Sequence, residues 1–420
     1  MLALGIAALV CVGSSAAHAD APIVQELPIN GSGGVQLACG LILPAGSVPA
    51  GGWPGVLLFP GLGQTHAAME TIATDDFAPA GLASLTCDER GIGASQGTFD
   101  IAGPDDVADV QALFSWFAGR GDVSDTAIGA YGESVGGAEV WNAAVAGVPF
   151  KAIVPVATWS NLRRALLPKN EVKTRLLDSI GALNPISGWR TSTAIRARSA
   201  RSKLATLAVP TLIVQNRYDL FFDIYQGETA YALLAGPKRL YIGKPTQALG
   251  GVSAWFAHYL GHGPPLGRGV EFVGPRGNTE VTRNFPETRS LSVNLPGTTT
   301  LKPATLASRS VWLPAGPFET LGDGHVTVRY SGGQFWNHLV ATVSLPGSDV
   351  PVTEGTARLD GAAGVVKIPL MDEAVFLPRG KRLVVTIGAG SPDQLFSNPV
   401  PPTASLTVTR VTLTLSVLDH

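Results

Sequence analysis

Residues 127–147 read AIGAYGESVGGAEVWNAAVAG. They contain Gly132-Glu133-Ser134-Val135-Gly136, which has the form of a nucleophile elbow. With 50 glycines in 420 residues, chance alone supplies on the order of one such match. A second does occur, at Gly93-Ala94-Ser95-Gln96-Gly97. Context separates the two. An elbow needs a strand entering a sharp turn and a helix leaving it, so that the serine hydroxyl stands above the sheet edge. Residues 127–131 read as a short buried strand, and 136–146 as a helix that opens with small residues. Ser95 leads instead into TFDIAGPDD, a loop. Ser134 is the nucleophile candidate.

Working outward, short apolar runs lie at 23–29, 35–44, 55–60, 83–88, 127–131, 152–158, 210–215 and 238–243. Helical patterns near 66–79, 104–119, 136–146, 171–181 and 225–235 alternate with them. Beyond the first two strands this is the grammar of a parallel, doubly wound sheet. Functional side chains in such sheets sit at the carboxyl ends of strands. There the sequence places Pro60-Gly61-Leu62-Gly63, Ser134 and Asp219. Residues 159–208 are too long for a simple crossover and rich in arginine, and are expected to form a small helical cap. Its arginines are expected on a solvated face.

From about residue 265 helical periodicity disappears. Segments such as HVTVRYSG, NHLVATVSLPG and RLVVTIGAG are separated by Gly/Pro turns. An all-β sandwich or jelly roll is expected over 265–420. His325 and His338 fall there and are expected to be ordinary strand or turn residues.

A chain of this length favours two domains. Its net charge of −2 gives no electrostatic reason to expect a nucleic-acid partner. Charged residues make up only 15%, against the usual quarter, as suits many short buried strands. At the N-terminus, residues 2–12 are apolar but too short to span a bilayer, and Ala17-His18-Ala19 fits a small-x-small cleavage site. Residues 1–19 are therefore expected to be a signal peptide, leaving an exported protein with no membrane span and a 20–264 first domain. Two cysteines then remain, Cys39 and Cys87. Both readings, buried free thiols and a disulfide, stay open. No Cys/His spacing resembles a metal site, and no cofactor is expected.

Several stretches together resemble the X-Pro dipeptidyl-peptidase and cocaine-esterase-like (CocE/NonD) hydrolases. CDERGIGASQGTF is similar to the family's Asp-x-Arg-Gly-x-Gly-x-Ser-x-Gly segment, and YGESVGGAEVW to its elbow. ATWSNLRRALLPKNEVK is similar to the opening of its cap, and PTLIVQNRYDLFFD to its acid-bearing strand and loop. AWFAHYLGHG resembles its last helix, and VFLPRGKRLVVTI a strand pair of its C-terminal jelly roll. The resemblance implies an α/β-hydrolase fold with a helical cap and a C-terminal jelly roll. It also implies a serine hydrolase acting on small esters or peptides through a Ser-Asp-His triad. Ser134 would be the nucleophile and Asp219 the acid. The backbone N–H groups of Val135 and Leu62 would hold the oxyanion. The family's histidine follows the eighth strand. Here that stretch is LYIGKPTQALGG, and Gln247 takes the histidine's place. A glutamine cannot take and return a proton near neutral pH, so a degenerate, ligand-binding member is the alternative. His66 is a surrogate base candidate, while His258 and His262 lie on or just past the final helix. Glu133 and Glu171 are candidates for holding a substrate amine.

Overall fold

The computed structural model describes residues 21–183, 192–261, 263–267, 269–313, 316–348, 350–397 and 399–418. The expected signal peptide, His262 and the middle of the cap lie outside the described residues.

The first ten strands form one sheet. They are β1 (Ile23–Asn30), β2 (Gln36–Leu43), β3 (Trp53–Phe59), β4 (Ala83–Cys87), β5 (Val123–Glu133), β6 (Ile153–Val156), β7 (Thr211–Asn216), β8 (Lys238–Gly243), β9 (Gly269–Val273) and β10 (Thr279–Thr282). Their order is β1-β2-β4-β3-β5-β6-β7-β8-β9-β10. The pairs from β4 through β9 are parallel, and the antiparallel β1-β2 and β10 extend the two edges. β3 shows why the sheet is buried on both faces. Leu57 and Phe59 join one core with helices α2 (Pro104–Ala118) and α3 (Val135–Ala146), while Val56 and Leu58 join another. The second core belongs to α1 (Ala67–Ile72) and to the helix Leu249–Leu260, so alternate residues of one apolar run serve opposite faces.

Between β6 and β7 lie the cap helices α4 (Leu162–Leu166), α5 (Thr174–Leu183) and α6 (Ser192–Ala197). Helix α7 (Ile224–Leu233) joins β7 to β8, and α8 (Leu249–Leu260) follows β8. Among the described residues no helix is long and apolar enough to cross a membrane.

Residues 265–282, expected to open the all-β part, instead complete the first sheet. Helix α8 is a crossover that returns the chain beside β8, where β9 pairs in parallel and buries Val270 and Phe272. The expected boundary at 265 therefore falls before the last two strands of the sheet. With only short strands left after α8, helical periodicity ends one unit before the sheet does.

The remaining strands are β11 (Thr288–Leu295), β12 (Thr299–Leu301), β13 (Ala307–Trp312), β14 (Phe318–Glu319), β15 (His325–Ser331), β16 (His338–Ser344), β17 (Thr353–Arg358), β18 (Gly364–Pro369), β19 (Phe376–Leu377), β20 (Arg382–Gly388) and β21 (Leu406–Leu418). One antiparallel sheet runs β11-β21-β15-β18, and another runs β13-β20-β16-β17. Val326, Val328 and Leu413 of the first share a core with Leu339, Ala341 and Val385 of the second. Leaving out the three shortest strands, the first sheet takes strands one, eight, three and six in chain order, and the second takes two, seven, four and five. That is the layout of a jelly roll. His338 is a buried core residue of this unit, its ring held by Asn337 Oδ1 and the Ala389 carbonyl, both at 2.6 Å.

Cys39 and Cys87 sit directly opposite on antiparallel β2 and β4, and they are joined as a disulfide with their Cα atoms 4.0 Å apart. Of the two readings the sequence left open, the structure takes the bonded one.

Candidate active site

Strand β5 delivers Ser134 to the carboxyl edge of the sheet, and α3 begins at the next residue. Ser134 adopts φ 55° and ψ −116°, a backbone conformation that side-chain-bearing residues rarely take. Its N–H donates to the Val156 carbonyl at 2.9 Å, which locks the turn to β6. The flanking glycines are required by close approach. A Cβ on Gly132 would lie 2.3 Å from the Gly136 oxygen, and one on Gly136 would lie 2.3 Å from the Phe59 oxygen. The helix start therefore presses against the end of β3, as a sharp elbow demands. It leaves the Val135 N–H at the N-terminal end of a 12-residue helix, where backbone donors carry partial positive charge.

The loop after β3 approaches the same serine. A Cβ on Gly61 would lie 3.6 Å from Ser134 Cβ, and the Gly61 N–H donates to Gln64 Oε1 at 2.9 Å. Leu62, next in that loop, packs into an apolar cluster with Val135, Ile92, Phe222 and the cap residues Leu162 and Ile180. The wall beside the serine is thus apolar and built from five separate segments. The competing serine has no such setting. Ser95 Oγ donates to the Asp88 carbonyl at 2.8 Å and accepts the Ala38 N–H at 3.0 Å, which makes it a loop staple.

Asp219 lies in the loop after β7, and the second domain holds that loop. The Asp219 N–H donates to Glu373 Oε2 at 2.8 Å, Tyr218 donates its hydroxyl to the Pro351 carbonyl at 2.6 Å, and the Ala374 N–H donates to the Arg217 carbonyl at 2.8 Å. From the cap, buried Lys173 donates its Nζ to the Leu220 and Phe221 carbonyls at 2.8 and 3.0 Å. Asp219 Oδ1 in turn accepts the N–H groups of Phe221 and Phe222 at 2.9 and 3.0 Å. Burial pushes the Asp219 carboxyl up to about 6, against the pull of those two N–H donors and of Lys173.

Gln247 stands past the carboxyl end of β8, in the short turn Pro245–Gln247 that leads into α8. Its backbone N–H closes that turn onto the Lys244 carbonyl at 2.9 Å, and the residue is exposed. Among the described residues its side chain forms no hydrogen bond with Ser134 or Asp219.

The other candidates are committed elsewhere. His66 Nδ1 lies 2.6 Å from Asp88 Oδ1 and Nε2 lies 2.9 Å from Glu26 Oε2, so neither ring nitrogen is left for a serine. His258 Nδ1 lies 3.2 Å from the Gly263 carbonyl, just past the end of α8. Glu133 accepts the Tyr131 hydroxyl at 2.5 Å, on the face that Tyr131 shares with α1 and α8. Glu171, whose carboxyl is pushed up by burial, lies in the fields of His338 and Arg358, toward the second domain. The cap arginines divide. Arg163, Arg196 and Arg201 are exposed as expected, but Arg198 is buried against Asp100, donating to its carboxylate and to its carbonyl. Sequence reasoning missed Lys173, Arg198 and Glu373. Each acts across a long stretch of chain, and no local spacing marks it.

Residues 33–182 match the family model described as X-Pro dipeptidyl-peptidase (S15 family). The matched stretch includes Leu62 and the elbow and leaves Asp219 and Gln247 outside. Among curated protein sequences, none matches the chain. The fold is similar to a CocE/NonD family hydrolase from Staphylococcus aureus, with a TM-score of 0.69 at 13% identity over 94% of each chain. It is also similar to an aminopeptidase from a marine-sediment Thaumarchaeota archaeon, with a TM-score of 0.70 at 14% identity over 99% of each chain. An α-amino acid ester hydrolase gives a TM-score of 0.69 at 13% identity, over 97% of this chain and 98% of that one. With an α/β-hydrolase sheet, a strained elbow serine within the matched residues and an all-β C-terminal unit, the chain is similar to the X-Pro dipeptidyl-peptidase (S15) family over residues 33–182 and shares its fold with CocE/NonD and α-amino acid ester hydrolases.

Proposed function

We propose that the protein is an exported serine hydrolase of small acyl esters or peptides, with Ser134 as nucleophile. The observation that carries this reading is the Ser134 backbone. A residue with a side chain held at φ 55° between glycines that tolerate no Cβ is strain retained at a site of use. Ser134 Oγ attacks the acyl carbon, and the developing oxyanion meets the N–H groups of Val135 and Leu62. The leaving group departs, and water then hydrolyses the acyl-enzyme. The apolar wall of Leu62, Val135, Leu162 and Phe222 favours an uncharged acyl or side-chain group next to the scissile bond. Attack requires a base to take the Ser134 proton and return it to the leaving group, and Asp219 stands at the position of the acid that would orient that base. Export accords with the apolar run before Ala17-His18-Ala19 and with a disulfide inside the sheet.

A second reading has its own support. Gln247 stands where the resemblance places the family's histidine, and no described histidine is bonded to Ser134 or Asp219. Loss of the base from a serine triad costs up to about 10⁶ in kcat, or ~8 kcal/mol of barrier. A chain in that state binds in the pocket and turns over little. Hydrolysis of p-nitrophenyl esters by the wild type and Ser134→Ala separates the readings. A rate that Ser134→Ala abolishes supports the hydrolase, and equal background rates support the binding protein.

A further inference from the structure

A second constellation lies at the β1 edge of the sheet. His66 caps the start of α1, Glu70 lies one turn along the same helix, and Glu26 reaches across from β1. Nε2 of His66 is 2.9 Å from Glu26 Oε2 and 3.9 Å from Glu70 Oε1, and one donor atom from each of the three residues falls within 4.8 Å of the others. The ring orientation is fixed from behind. Asp88 Oδ1 accepts the backbone N–H of His66 at 2.7 Å and lies 2.6 Å from its Nδ1. With Nδ1–H donating to that carboxylate, Nε2 faces two further carboxylates, and without an ion its N–H donates to Glu26.

Two features leave a place for a metal cation among them. Glu70 Oε1 is buried with no hydrogen-bond partner, so a proton on Nε2 would satisfy Glu26 and leave this atom unmet. The strand beneath is also hollowed out to admit the group. A Cβ at Gly40 would lie 2.3 Å from Glu70 Oε1 and 3.4 Å from His66 Cδ2. The donor set of one imidazole and two carboxylates, with a carboxylate behind the imidazole, is that of a divalent transition metal such as zinc. Bonds of about 2.0–2.2 Å to each donor need the donors roughly 3.3 Å apart, a small adjustment from the separations present. Imidazole in the set disfavours calcium and magnesium, which take oxygen ligands. The three ligands come from two distant segments of the chain, so no Cys/His spacing reveals them.

We propose that Glu26, His66 and Glu70 bind one zinc-type divalent ion, with Asp88 as the residue that positions the His66 ring. The ion would tie edge strand β1 to the start of α1, four residues beyond Leu62, and so steady the loop beside Ser134. The site does not depend on the hydrolase reading.

Equilibrium dialysis of chelator-stripped, full-length protein against Zn²⁺, with bound metal counted by elemental analysis, tests the proposal. Melting curves recorded with and without Zn²⁺ accompany it. One equivalent should bind, raise Tm and survive a large excess of Ca²⁺. Glu70→Gln and Glu26→Gln, both conservative and near the surface, should weaken binding by about tenfold or more and abolish the Tm rise while the protein stays folded. Substoichiometric binding, or one equivalent whose affinity is unchanged in both variants, would overturn it.

Discussion

Asp219→Asn should make the protein more stable at neutral pH, and the structure gives the size and sign of the effect. The carboxyl rises from its ordinary 3.8 to about 6 because the acid loop buries it. Between those values the folded state holds a proton that the unfolded state has released. Wild-type stability therefore falls as pH rises through that window, and the loss is complete above about pH 6. At about 1.4 kcal/mol per tenfold change in protonation, the full penalty is ~3 kcal/mol, and the solvent that still reaches this half-buried residue reduces it to ~1–3 kcal/mol. Asparagine keeps an oxygen for the Phe221 and Phe222 N–H groups and carries no charge to bury. Urea unfolding of both proteins from pH 4 to 8 should give curves that meet near pH 4 and separate until about pH 6.5, with the variant higher. Ester hydrolysis on the same samples reads the functional side. Where Asp219 orients a base, activity falls by about 10⁴, as for loss of a triad carboxylate. An Asn variant that is less stable than wild type at pH 7.5, or a wild type whose stability rises from pH 4 to 6, would refute the burial argument.

Other expectations follow from single contacts. Gly136→Ala forces a methyl against the Phe59 and Pro60 carbonyls, so it should cost more than ~2 kcal/mol in unfolding free energy and disable the elbow. A soluble, active variant of normal Tm would contradict the close packing. Gln247→His supplies a proton acceptor beyond β8 and should raise ester hydrolysis by one or more orders of magnitude, with the gain lost when Ser134→Ala is added; no change would mean that the exposed turn holds the ring away from the serine. The Cys39–Cys87 bridge closes a separation of 48 residues, and Cys39→Ser with Cys87→Ser should lose ~2–4 kcal/mol. Two free thiols in denatured, unreduced wild type would remove that claim.

The parallel sheet was legible because its strands are continuous apolar runs punctuated by glycine, and each expected run from 23–29 to 238–243 meets an observed strand. Ser134 was legible for a local reason, since strand, glycine, serine, glycine and helix are consecutive. What escaped the sequence is nonlocal. Lys173 secures the acid loop from 47 and 48 residues away, and Glu373 does so from 154 residues away. Pairings of that kind leave no periodic trace. The end of the sheet was misplaced because β9 and β10 are short and follow the last helix, so by composition they match the all-β region beyond. His66 looked available because it follows the loop of Leu62. Its two carboxylate partners sit on β1 and after β4, which only the folded chain brings together.

The central claim is that Ser134 is a working nucleophile, and active-site labelling tests it most directly. Folded protein treated with a fluorophosphonate, followed by intact-mass measurement and peptide mapping, should show a single adduct on the peptide that carries Gly132-Glu133-Ser134-Val135-Gly136, and none in Ser134→Ala. Folded wild type that stays unmodified under conditions that label ordinary serine hydrolases, or an adduct mapped to another residue, would contradict it.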